Sequence, residues 1–137
     1  MIEGRFYLKN YSGWGVSYFL LTSAKDMPVI LNRLNTLKCN NLFKRRAKKL
    51  LSSGLFNTGL AYSNKKLRRS ILVVSEATSV WEFLNSFAHE IDHLEKHIAK
   101  ALNFSPYSET ASYLVGEIIM NMFKKIVCKK EMFYPEQ

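Results

Sequence analysis

From Ser79 to Leu102 the sequence keeps one period, and that period is helical. Val80, Leu84, Phe87, Ile91, Leu94 and Ile98 recur at steps of three and four residues. Ser79-Val80-Trp81-Glu82 stands at the start as a capping-box pattern, and Asn103 to Tyr107 breaks the run. A helix over about 79–102 is roughly 36 Å long, at 1.5 Å per residue. That is the width of a small domain, so the rest of the chain must be organised around this one element.

The chain has 137 residues, which predicts one domain over 1–137. It contains no repeat and no Gly/Pro/Ser linker. Residues 5–9 and 15–21 read as strands, with turn chemistry at Asn10, Ser12, Gly13 and Gly15. Asp26 and Pro28 start a helix that carries Leu31, Leu34 and Leu37, and a second helix covers about 41–52. Thr58–Ser63 and Ser70–Ser75 form a hairpin. Ser105-Pro106 opens a last helix over about 106–128, with Ala111, Val115, Ile118, Ile119, Met122 and Ile126 on one side and a frayed tail from Lys129. Two strands and two helices thus fill 1–55, and a hairpin and two long helices fill 56–137. This grouping predicts an α+β fold with a small antiparallel sheet, the long helix being followed by an antiparallel partner. Trp14 and Trp81 are expected in the core.

Inside the long helix stands His89-Glu90-Ile91-Asp92-His93, the pattern H-E-x-x-H. The two histidines are one turn apart on one face, about 40° from each other. Two imidazoles so placed can share one Zn²⁺ at about 2.0–2.1 Å, with Glu90 to the side as a general base, which is the metalloprotease arrangement. One Zn²⁺ per chain is expected. Both histidines lie opposite the apolar stripe, so a solvated pair of surface histidines is the competing reading.

A third protein ligand is needed. Glu109, Tyr113, Gly116 and Met120 form one ridge of the last helix. Glu109 is the first candidate ligand and Glu117 the second, an ordinary exposed carboxylate being the alternative for either. Gly116 suggests close approach of the two helices. Tyr113 could hydrogen-bond a developing oxyanion or pack in the core. His97, one turn beyond His93, could support the ligands or donate to an oxyanion, or lie on the surface; the glycine turn that precedes a metzincin's third histidine is absent. Cys39 and Cys128 lack the paired spacing of a thiolate site.

From about Asn57 onward the chain resembles a group of small H-E-x-x-H proteins of Bacteroides-type bacteria and their phages and mobile elements. The stretches that carry the resemblance are NTGLAYSN (57–64), EFLNSFAHEIDHLEKHI (82–98) and SETASYLVGEI (108–118). More broadly it is similar to minimal gluzincins. The resemblance implies a zincin-like core, with His89, His93 and Glu109 as zinc ligands and Glu90 as general base. It departs from that family at Tyr113, which stands where an E-x-x-x-D pattern would place the aspartate.

The net charge is +9. Lys44, Arg45, Arg46, Lys48 and Lys49 form one basic run, and Lys65, Lys66, Arg68 and Arg69 a second. They are either a solvated surface or contacts for nucleic acid or an acidic partner. No signal peptide or membrane span is legible, and two cysteines fit a reducing, cytoplasmic setting. The expectation is a zinc metallopeptidase acting on a peptide or protein substrate, the basic charge favouring an acidic one. A non-catalytic binding protein on the same scaffold, or a histidine pair without metal, are the alternatives.

Overall fold

The computed structural model describes the backbone of residues 1–130 and the side chains of 1–124. Strands β1 (Ile2–Leu8) and β2 (Trp14–Thr22) form one antiparallel hairpin. A single 3-10 turn, Ala24–Asp26, leads into helices α1 (Met27–Thr36) and α2 (Asn41–Ser52). Strands β3 (Gly59–Asn64) and β4 (Arg69–Ser75) form the second antiparallel hairpin, and helices α3 (Val80–Leu102) and α4 (Glu109–Lys130) follow. The side chains of Ile126, of the expected apolar set, and of Cys128, and the tail beyond Lys130, lie outside the described residues.

The strand order is β1-β2-β4-β3, and the two hairpins join through a parallel β2–β4 pair. The sheet is therefore mixed, where the sequence predicted an antiparallel one. The reason is topological: α1 and α2 carry the chain from the end of β2 to an edge, and β3 then brings it back so that β4 runs alongside β2. The two central strands are buried almost throughout, as strands covered on both faces must be.

Side-chain alternation divides the core in two. On one face Phe19, Ile71, Val73 and Leu60 pack under Ile30, Leu34, Ala47 and Leu51 of α1 and α2. On the other, Val16, Tyr18, Leu72 and Val74 pack under Phe87, Ile91, Leu94 and Ile98 of α3 and Leu114, Ile118 and Met122 of α4. Helix α3 lies over β3 and β4, and α4 over β1. The expected cap of α3 acts locally, the Glu82 amide donating to Ser79 Oγ at 3.1 Å, and α2 has a cap of the same kind, the Phe43 amide donating to Asn40 Oδ1 at 2.8 Å. Asn103 closes α3 in the left-handed region, φ 62°. Helix α4 begins later than Ser105-Pro106. Ser108 Oγ accepts from the Ala111 amide, and Pro106 sits in the preceding turn. Trp14 is fully buried, but Trp81 is 76% exposed on the first turn of α3, against expectation.

Candidate metal centre

His89 and His93 project from the solvent side of α3, and their Nε2 atoms converge to 3.0 Å. Two imidazoles on one tetrahedral zinc, at 2.0–2.1 Å each, would stand about 3.3 Å apart. The pair therefore fits a shared ion with a small opening. Without a metal, one ring donates its Nε2 proton to the other.

Glu90 lies on the same flank of α3 but turns inward, towards β3. It is 5% exposed and lies across Gly59 at the start of β3. A Cβ built at Gly59 would come within 2.7 Å of Glu90 Cγ and 3.0 Å of its Oε2. The strand glycine is what lets this carboxylate settle between helix and sheet. Burial pushes the Glu90 carboxyl up, while the charges of His89 and His93 pull it down. Asn57, Thr58, Gly59, Asn85, Ser86, His89 and Glu90 line an open groove of about 400 Å³. Asn57 anchors its rim: its side chain accepts from the Thr78 amide at 3.0 Å and donates to Thr78 Oγ1 at 3.1 Å.

His97 faces the sheet. Its Nδ1 lies 2.8 Å from Ser63 Oγ on β3, Ser63 Oγ lies 2.6 Å from Ser70 Oγ on β4, and Ser70 Oγ lies 2.8 Å from Trp14 Nε1. An indole N–H only donates, so Trp14 donates to Ser70. If the buried Ser70 donates in turn to the half-buried Ser63, then Ser63 donates to His97 Nδ1. In that arrangement His97 carries its proton on Nε2. Burial, then the charges of His93 and Lys65, hold its pKa below the ordinary value and favour that neutral form. Ring-nitrogen shifts measured by NMR at neutral pH should show a bare Nδ1 and a protonated Nε2 on His97. The reverse pattern would mean that the chain runs out of the histidine instead.

The structure does not bring Glu109 or Tyr113 to the histidines. Both are exposed, Tyr113 by 70%. The buried face of α4 is Ala111, Leu114, Ile118 and Met122, and the Glu109–Tyr113–Gly116–Met120 ridge lies opposite it. Phe87 meets Phe123 edge-on at 5.4 Å, which sets the antiparallel register. Glu109, fourteen residues before Phe123, is level with the end of α3 and not with His93. Glu117 is nearer in level but faces β1's side, where its charge adds to burial in raising the pKa of Tyr11. Nor does Gly116 mark a close approach, since a Cβ there would meet nothing within 4 Å. Among the described residues no three His, Cys, Asp or Glu side chains form a group able to hold a metal ion.

Sequence reasoning missed Gly59, Ser63 and Ser70. A glycine inside an otherwise regular strand was the available signal for the first; paired serines across a hairpin gave none. Of the basic residues, the α2 run is largely solvated, with Lys44 donating to Asn35 Oδ1 at 2.8 Å. Arg69 instead lies along the sheet over Tyr7. Among the described residues no helix is long and apolar enough to cross a membrane. No family model, curated protein or solved structure matches this chain.

Proposed function

We propose that the chain is a zinc-dependent peptidase, with His89 and His93 as the metal ligands that α3 supplies and Glu90 serving as general base. The observation that carries this reading is the convergence of two Nε2 atoms to 3.0 Å beside a buried carboxylate at the mouth of a groove. When bound, Zn²⁺ supplies a Lewis acid for the scissile carbonyl and lowers the pKa of a water. Glu90 accepts a proton at its carboxylate and returns it to the leaving amine. The groove is floored by the first residues of β3, an edge strand, so an extended peptide can add to the sheet there and lie across Glu90. The net charge of +9 favours acidic substrates.

Elemental analysis of untagged protein prepared without chelator tests the metal. About one zinc per chain is expected, lost in His93→Ala. Absence of zinc from both, even after zinc is supplied, would overturn the proposal. Glu109→Gln divides the ligand question. With α4 placed as it is, zinc affinity should stay within about threefold. A loss of about tenfold or more would show the glutamate supporting the metal after all.

A further inference from the structure

The sheet face that carries α1 and α2 is covered only in part. At its β1 side, near the two hairpin turns, it is open, and three arginines from three elements meet there: Arg5 of β1, Arg33 of α1 and Arg69 of β4. They line a cleft of about 270 Å³ with Tyr7 and Ser17, and no carboxylate lines it.

The cleft is built rather than incidental. Arg69 lies flat across β2, its guanidinium 5.2 Å from the centre of the Tyr7 ring. Gly15 makes that possible: a Cβ there would come within 2.7 Å of Arg69 Cδ and 3.1 Å of Tyr7 Cε1. Arg69 donates to the Arg68 carbonyl at 3.0 Å. Arg33 donates to Ser17 Oγ at 2.9 Å and lies 5.8 Å from the centre of the Phe19 ring. Both guanidiniums are thus oriented by neutral groups, and among the described residues neither has a carboxylate partner. Each keeps N–H donors and a full charge for a ligand.

We propose that this cleft binds the phosphodiester backbone of a single-stranded nucleic acid. Planar guanidinium forks match phosphate oxygens, and the half-exposed Tyr7 ring offers a stacking edge for an unpaired base. Lys66 and Arg68 belong to the same β3–β4 turn, and Leu67 of that turn lines the cleft itself. A ligand with successive phosphates meets both, which a single phosphate group does not. A cleft of this size admits one phosphate with its sugar or base, which a flexible single strand can present more deeply than a duplex can. It lies on the sheet face away from His89 and His93, so it stands independently of the peptidase proposal.

Fluorescence anisotropy with a labelled oligothymidylate of about a dozen nucleotides, between about 50 and 200 mM salt, tests this. Binding should weaken with salt. Arg33→Gln with Arg69→Gln should lower affinity about tenfold or more and reduce the log–log salt slope by about 1–2. Arg5→Gln, at an exposed strand position, should act in the same direction, and circular dichroism melting confirms folding of each variant. His93→Ala should bind as wild type does. The proposal is overturned by no binding up to about 100 µM protein at the lowest salt, or by equal loss in Lys48→Gln with Lys49→Gln on α2. It is equally overturned if a phosphoserine peptide binds through these arginines and the oligonucleotide does not, or if the duplex binds as tightly as the single strand.

Discussion

Glu90→Gln is expected to cut peptide hydrolysis by about 10²–10⁴-fold, the usual contribution of a positioned general base, while the protein still carries about one zinc per chain. The amide keeps the shape of the side chain over Gly59 but cannot take a proton. The same substitution should make the metal-free protein more stable at neutral pH. Burial raises the Glu90 carboxyl above its ordinary 4.5, against the pull of His89 and His93. A carboxyl raised in the folded state binds its proton more tightly there than in the unfolded chain. Its contribution to stability is therefore full below about pH 4.5 and lost as pH rises through the folded-state value. E90Q has no such loss. Thermal melts of the metal-free proteins should show E90Q above wild type at neutral pH, with the gap closing towards about pH 4. A gap that is the same at both pH values would place this carboxylate in water. Hydrolysis surviving in zinc-loaded E90Q would remove the mechanism. Loss of activity together with a pH-dependent gain in stability is the signature of a group buried for chemistry and not for the fold.

What was legible in the sequence is what is local. Helix α3 could be read because its apolar period and its Ser79 cap both lie within a few residues of the backbone they direct. Helix α2 was placed at 41–52 by its apolar set, Leu42, Phe43, Ala47, Leu50 and Leu51, which is equally local. The pairing of β2 with β4 was not legible. It joins residues about 50 positions apart, and no strand announces which neighbour it will take or in which direction. Trp81 illustrates a second limit. It belongs to the first turn of α3, about 120° round the helix from Phe87, and so lies off the face that the helix buries.

The candidate site divides along the same line. Convergence of His89 and His93 follows from helix geometry alone, so the motif predicted it. The inward turn of Glu90 depends on β3 lying beneath it, and the position of Glu109 depends on how α4 docks. Helix α4 packs towards β1 through Ala111, Leu114, Ile118 and Met122, on the flank of α3 away from β3. The histidines belong to the flank that Glu90 and His97 share with β3. Periodicity showed that Glu109 and Tyr113 share a ridge, correctly, but it carries no information about which neighbour a ridge will face.

Two glycines should respond to alanine with opposite signs. Gly59→Ala places a methyl group 2.7 Å from Glu90 Cγ and 2.7 Å from the Val73 carbonyl oxygen. The side chain can swing out towards the groove, but the carbonyl is backbone, so β3 must also shift from β4. A loss of about 1–3 kcal/mol in stability is expected, as for other overpacked sites, with a fall in hydrolysis because Glu90 has moved. Gly116→Ala meets nothing within 4 Å in the middle of α4. It should stabilise by about 0.5–1 kcal/mol by removing a helix-interior glycine, and leave zinc content and hydrolysis unchanged. Denaturant unfolding of both single variants checks the signs. A double-mutant cycle of Gly59→Ala with Glu90→Ala isolates the contact: with the glutamate shortened, part of the Gly59→Ala cost should disappear, a coupling of about 0.5–3 kcal/mol. If the two losses simply add, Glu90 does not rest on Gly59, and the sheet plays no part in aiming the base. If they couple, the glycine at the start of the edge strand is as much a part of the site as the H-E-x-x-H helix above it.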